Sequence, residues 1–366
     1  MNININKTDL LTPLLKIIGV IERRQTLPIL SNVFFSLEGS ELKLVGTDLE
    51  VQILATSNIE TSGSFSITIP ARKLLDICRS LPDDSIISMN FGDDKLVLKS
   101  GKSRFTLRTL PATEYPLFDD LQYIKELTIS KEILFKAFSK TSFCMAQQDV
   151  RFYLNGLMLH VSAGELQSVA SDGHRLALFK IDLGGSVLSI DQVIIPRKAA
   201  QEFQRLLDKT DKDVVIKVAK NHINLSLGDV ELNAKLIDGR FPDFKNVIPE
   251  ENKTHFVIDK QAFKAALSRV SILSNEKYKG IRLDLSDQLM TINANNPEHD
   301  EAIEEVPIDY DSNEMSMGFN SSYLMDALNT LDSDIVRVSF TDTNSSCLIE
   351  DPNDLSCRLV IMPMRL

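Results

Sequence analysis

The sequence predicts an α+β fold of three repeated domains, each an antiparallel sheet with two helices. Three observations carry this. Hairpin-like segments recur at a constant spacing, since Val33, Leu157 and Ile281 correspond and lie 124 residues apart each time. An amphipathic helix precedes each hairpin, and a second helix start follows each. No strand–helix–strand alternation at crossover length recurs, which disfavours a doubly wound parallel sheet.

Each repeat opens with a short strand and a helix, over Ile5–Ile21, Leu127–Ala146 and Phe256–Leu273. In the third, Phe263, Ala266, Leu267, Val270 and Leu273 line one helical face. Hairpins beginning at Asn32, Gly156 and Gly280 then alternate apolar and polar residues about a short turn, the pattern of half-buried strands. The second helices start at Pro70-Ala-Arg-Lys, Pro196-Arg-Lys-Ala and Asn320-Ser-Ser-Tyr, where Pro suits the first turn and Asn or Ser a cap. Further hairpins close the repeats over Ile86–Thr109, Val214–Leu236 and Val336–Met362. The polar, proline-bearing stretches Pro116–Glu126 and Ile248–Thr254 separate domains at 1–118, 126–248 and 254–366.

Composition excludes several classes. The 366 residues suit two or three domains, and 43% hydrophobic with 25% charged residues is ordinary for a soluble globular chain. No run is long and apolar enough to cross a membrane, and Met1–Leu10 has no apolar signal core, so a cytoplasmic location is expected. Cys78, Cys144, Cys347 and Cys357 form no CxxC pair, although Cys347 and Cys357 could approach across a hairpin. The five histidines are scattered, and neither a metal nor another cofactor is expected. Gly101-Lys102-Ser103 ends like a phosphate loop, but Leu96 stands where its first glycine belongs. Asp172-Gly-His174-Arg has no nucleophile elbow or acid–base partner nearby.

Charge is segregated. The net charge is −11, yet the six expected helix segments (7–24, 70–80, 130–148, 196–207, 259–279, 320–331) carry +2, +2, +2, +2, +3 and −1. Together that is +10, which leaves −21 on everything else. Charged helix faces are usually just solvated, but this contrast favours one basic surface for nucleic acid. A unit of this size, treated as a sphere about 35 Å across, leaves a hole of about 5 Å in a ring of three and about 35 Å in a ring of six. Only the six-unit ring admits a duplex, so two chains joined head to tail are required.

Several motifs together resemble the bacterial DNA polymerase III beta subunit family over the whole chain. They are Thr26-Leu-Pro-Ile-Leu, Gly46-Thr-Asp-Leu-Glu, Gln148-Asp-Val-Arg-Phe-Tyr-Leu-Asn-Gly, Ser171-Asp-Gly-His-Arg-Leu-Ala, Asp238-Gly-Arg-Phe-Pro-Asp, Ile272-Leu-Ser-Asn-Glu-Lys and Met362-Pro-Met-Arg-Leu. The resemblance implies the DNA clamp fold: a six-domain ring formed by a homodimer around double-stranded DNA, without sequence preference or catalysis. The implied partners are the replicative polymerase catalytic subunit, the clamp loader, translesion and repair polymerases, and mismatch-repair proteins.

The family's peptide-binding groove corresponds to Leu154, Ser171, Gly173, His174, Arg175, Leu176, Pro242, Val247, Ser346, Val360, Ile361, Met362, Pro363, Met364, Arg365 and Leu366. Ser171 and Ile361 stand where Thr and Val are often seen, and Asn246 where Arg is common. The DNA-binding positions correspond to Arg24, Arg72, Gln148, Tyr153, Arg197 and Lys198, with Phe152 replacing a common Tyr. For the dimer interface, Phe105 and Leu107 would meet Ile272 and Leu273, while Lys73, Lys99 and Arg104 would face Glu298, Asp300, Glu301, Glu304 and Glu305. Two other readings are a peptide-binding repeat scaffold that forms no ring, and an enzyme with a site at His174. The charge segregation disfavours the first, and the missing constellation disfavours the second.

Overall fold

The computed structural model describes residues 1–22, 27–118, 121–184, 189–208, 212–249 and 254–365. The first repeat contains β1 (Asn2–Asn6), α1 (Lys7–Ile17), β2 (Asn32–Thr47), β3 (Val51–Pro70), α2 (Ala71–Ser80), β4 (Ile86–Phe91), β5 (Lys95–Ser100), β6 (Ser103–Arg108) and the short β7 (Leu110–Pro111). The second contains β8 (Lys125–Ile129), α3 (Lys131–Ser139), β9 (Gly156–Ser162), β10 (Glu165–Ser171), β11 (Arg175–Asp182), β12 (Ile190–Pro196), α4 (Arg197–Leu207), β13 (Val214–Val218), β14 (His222–Leu227) and β15 (Val230–Lys235). The third contains β16 (Thr254–Asp259), α5 (Lys260–Val270), β17 (Gly280–Ser286), β18 (Leu289–Asn295), β19 (Glu301–Pro307), β20 (Met315–Asn320), α6 (Ser321–Thr330), β21 (Ile335–Phe340), β22 (Cys347–Glu350) and β23 (Cys357–Ile361).

Two compact units result: residues 1–135 with 198–236, and residues 136–197 with 237–366. The first holds a sheet ordered β1-β4-β5-β6 and another ordered β2-β3-β15-β14-β13-β8, with β7 on β3. The second holds an eight-stranded sheet, β12-β9-β10-β11-β23-β22-β21-β16, and a four-stranded one, β19-β18-β17-β20. Main-chain ladders cross repeat boundaries: β3 pairs with β15 (Val51 opposite Ala234), and β11 with β23 (Leu176 opposite Val360). These junctions cover edges that each repeat alone would expose. Among the described residues each of the four sheets ends in two edge strands, β6 and β19 among them.

The helices bury the faces their periodicity requires. Ala71, Leu74, Leu75 and Cys78 point inward from α2, and Phe263, Ala266, Leu267 and Val270 from α5. The first helix of each repeat is shorter than expected. α1 stops at Ile17, α3 at Ser139 and α5 at Val270, and 3-10 turns follow α3 and α5 at Ser142–Cys144 and Ser271–Leu273. Pro70 and Pro196 close the preceding strands, one place before the helix, whereas Asn320 caps α6 by accepting from the Ser322 and Tyr323 amides.

The expected alternation fails in β2, where Asn32–Leu37 is buried on both faces. Phe34 and Val45 pack against Tyr115, whose hydroxyl donates to the Asn32 and Val45 carbonyls, so a second small core covers the face left to solvent by the sequence pattern. The cysteine approach is also corrected. Cys347 lies opposite Ile361 and Cys357 opposite Phe179, and all four thiols are free and buried.

Candidate peptide groove, cationic face and edge strands

The groove residues converge in the second unit. Leu154, Leu176 and Val360 share one buried cluster with Phe241, Phe244, Ile248 and Leu348. Above it, Val247 is 38% and Met362 48% exposed, and Pro242 is exposed as well. Ser346 Oγ donates to the Val247 carbonyl (3.4 Å). The Met362 amide donates to the His174 carbonyl (2.9 Å), and the Met364 amide to Gly318 (2.9 Å), so the C-terminal segment is tied down through its backbone. Apolar walls beneath partly exposed side chains suit aliphatic or aromatic anchors of a short peptide.

A tight turn shapes one end of this groove. Asp172 Oδ1 accepts from the His174 and Arg175 amides, and Ser171 Oγ accepts from Gly173 N and donates to the Arg175 carbonyl. Gly173 has φ +87°, and a Cβ there would meet the Arg151 guanidinium at 2.5 Å. His174 is exposed, as is Arg365; Pro363 and Met364 are half-buried, and Leu366 lies outside the described residues.

Two carried-over groove residues do not present their side chains. Strand pairing puts Leu176 opposite Val360 and Arg175 opposite Ile361. Successive residues alternate faces, so Arg175 and Ile361 point away from the face that Leu176 and Val360 line. The Arg175 side chain is 13% exposed. It donates to Asp172 Oδ2 (3.0 Å), Asp326 Oδ2 (2.5 Å) and the Phe143 carbonyl (3.2 Å), and stacks 4.4 Å from the Tyr323 ring centroid. It is a strut beneath the groove.

The cations carried over as DNA contacts are partly engaged. Arg72 Nη2 donates to the Ile21 carbonyl (2.7 Å), and Arg197 Nη1 to the Met145 carbonyl (2.5 Å). Lys198 meets Asp48 (2.5 Å) and Glu22 (2.7 Å). Burial opposes its charge, but hydrogen bonds to these two carboxylates outweigh that and raise its pKa. Gln148 is exposed with φ +56°, Tyr153 is half-buried, and the neighbouring Phe152 is 73% exposed. Arg24 lies outside the described residues.

With the observed boundaries the six helices carry +1, +2, +1, +2, +3 and −1, or +8 together against −19 elsewhere. Part of that charge is structural. Lys7 and Lys260 are buried and donate to the carbonyls of Leu81 and Leu331, which follow α2 and α6, and Arg205 donates to Leu15 and Lys16 in the last turn of α1. Each places a cation at the negative end of a helix.

Two of the edge strands, β6 and β19, differ in charge. On β6, Arg104 and Arg108 are exposed, Lys99 lies opposite Arg104, Phe105 is half-buried and Leu107 buried. On and beside β19, Glu298, Asp300, Glu301 and Glu305 are exposed, and Glu304 is paired with Arg269. Ile272 is 77% exposed and Leu273 half-buried. Lys73 is exposed on α2.

Comparison with known proteins decides the family. Models of the DNA polymerase III beta subunit match in three parts: the N-terminal domain over residues 1–119, the central domain over 128–243 and the C-terminal domain over 245–365. The chain belongs to the DNA polymerase III beta subunit family. The beta sliding clamps of Pseudomonas aeruginosa, Escherichia coli strain K12 and Vibrio cholerae are 46%, 41% and 40% identical to it, each aligned over all of both chains. A crystal structure of the DNA polymerase sliding clamp from Pseudomonas aeruginosa superposes with a TM-score of 0.95 at 45% identity over the full length of both. One of the Caulobacter crescentus beta sliding clamp gives 0.95 at 35% identity, covering 100% of this chain and 99% of that one.

Membership in the beta subunit family settles the three-domain fold and the function as a DNA sliding clamp, a processivity factor with no catalysis of its own. No helix among the described residues is long and apolar enough to cross a membrane. The sequence missed the residues supporting the groove. Arg151 holds Asp149 through two hydrogen bonds and donates to the Asp172 carbonyl (3.3 Å), and its hydrogen bonds draw the Asp149 carboxyl down to about 2. Asp326, Tyr323 and Phe143, which grip Arg175, are far from it in sequence and carry no motif.

Proposed function

We propose that two copies of the chain close head to tail into a ring around duplex DNA and that the groove docks the proteins that work on that DNA. The observation that carries this is the opposite charge of two edge strands, β6 and β19. A sheet edge exposes unpaired main-chain groups, and β6 with its arginines is complementary to β19 with its glutamates. Pairing β6 of one copy with β19 of the other would satisfy both edges and bring Phe105 and Leu107 to Ile272 and Leu273. Lys73, Lys99 and Arg104 would then face Glu298, Asp300, Glu301, Glu304 and Glu305. The clamp domains are assigned to 1–118, 126–248 and 254–366.

On this reading Arg24, Arg72, Gln148, Tyr153, Arg197 and Lys198 meet the phosphate backbone, since a sliding ring reads no sequence. The groove takes peptides from the replicative polymerase, the clamp loader, translesion and repair polymerases and mismatch-repair proteins, in the cytoplasm. The test is retention on DNA. The dimer, loaded on a nicked circle, stays bound through gel filtration and is lost when the circle is linearised. Equal retention on both forms rules out encirclement.

A further inference from the structure

A second recess adjoins the groove and is unassigned. The segment from Arg240 to Lys245 crosses the outer end of β9 and β10 and, together with Gln192, encloses a cavity of about 260 Å³. Its floor is set by local packing. His160 lies two residues beyond Met158 on β9 and so shares its face, and Met158 packs with Phe241 and Phe244 of the crossing segment. His160 is opposite Gln167 of β10, and its Nδ1 is hydrogen-bonded to the Ile190 carbonyl (3.0 Å), which leaves Nε2 available.

The chemistry of the walls is polar with free positive charge. Arg240 and Lys245 are both exposed, and neither side chain has an ion-pair or hydrogen-bond partner among the described residues. The carboxylate in the lining, Asp243, is held within its own turn: it accepts from the Lys245 backbone amide (3.3 Å) and from the Asn246 side-chain Nδ2 (3.1 Å). The recess also touches the groove. Pro242 lines it, and the flanking Phe241 and Phe244 belong to the cluster under Leu154, Leu176 and Val360.

We propose that this recess is a carboxylate subsite, taking an aspartate or glutamate of the partner peptide next to the apolar anchors held in the groove. The inference rests on the groove reading given above. Two unpaired cations and an amide beside an aromatic wall fit a carboxylate side chain better than an apolar one. With Asp243 as the only carboxylate among the described residues of the lining, the two cations leave a net positive rim that also steers an acidic segment toward the groove before the anchors seat.

The test uses the intact protein and a short dye-labelled peptide with leucine and phenylalanine anchors. It is measured by fluorescence anisotropy at low ionic strength with an acidic pair added at the N-terminal end, at the C-terminal end, or at neither. One of the two extensions is expected to tighten binding about three- to tenfold, in line with one or two partly exposed ion pairs. The exposed double variant Arg240→Gln with Lys245→Gln removes that gain and leaves the unextended peptide unchanged. If neither extension tightens binding, or the gain survives in the double variant, the subsite is refuted while the groove reading stands. If the unextended peptide does not bind at all, the groove reading fails and this inference with it. If the double variant instead weakens binding of a short duplex and keeps the acidic gain, the two cations serve phosphate and the assignment is wrong.

Discussion

Replacing Arg175 with Met separates a strut from a contact. The substitution keeps the length of the side chain but deletes its charge, three hydrogen bonds and a ring stack. Removing one partner from a buried charge pair costs about 3–5 kcal/mol. Asp172 is nearly as enclosed as Arg175, but Asp326 is 44% exposed and would be rehydrated, which pulls the figure down to about 2 kcal/mol. Losing the stack on Tyr323 adds about 0.5–2 kcal/mol. The expected cost is therefore about 3 kcal/mol, localised where the arginine joins the 3-10 turn after α3, the turn before β11 and α6. Amide hydrogen exchange reads this directly. Residues 140–146, 171–176 and 323–330 should exchange roughly 100-fold faster in the variant, with segments of the other unit unchanged. Groove binding should weaken as a consequence. Loss of peptide binding with exchange unchanged would show that Arg175 touches the peptide and that the strut argument is mistaken.

Three further outcomes follow from the same geometry. Arg72→Met and Arg197→Met each remove a charged hydrogen bond to a backbone carbonyl and should cost about 1.5–3 kcal/mol in urea unfolding. If their remaining donors meet phosphate, each should also lower the slope of log affinity against log salt by about 1, and an unchanged slope makes the residue structural only. Burial raises the Cys78, Cys347 and Cys357 thiols to about 12, so the neutral thiol is favoured in the folded chain. Their contribution to stability is complete below the ordinary value of 9.0 and declines as pH rises from there through about 12; at neutral pH a thiol reagent should label these cysteines only after unfolding. Ile272→Ala with Leu273→Ala should leave the monomer folded, since Ile272 is exposed, yet raise the dimer dissociation constant at least about a hundredfold at about 2 kcal/mol per buried side chain. Analytical ultracentrifugation at nanomolar concentration checks it, and an unchanged dimer removes these residues from the seam.

Much was legible because it repeats. Val33, Leu157 and Ile281 mark one place three times, and periodicity alone assigns the inward face of α5. The helix charge was legible in sum but not in use. Lys7, Lys260 and Arg205 count as basic residues in the sequence, yet they hold the carbonyl ends of neighbouring helices, a role set by contacts between distant segments. The inward turn of Arg175 was likewise hidden. A motif names a residue, but the face it occupies depends on strand register, and register is decided where β11 meets β23, nearly two hundred residues later in the chain.

By itself, then, the sequence determined the local and periodic features: three repeats, six helices and alternating strands. These depend on neighbours three, four or two positions away, which any chain carries in its order. Only the tertiary structure decided what covers β2 on its second face, which cations are engaged, and which side of β23 forms the groove. Each of those is a pairing between segments far apart in the chain, and burial and hydrogen bonding, rather than local pattern, select it.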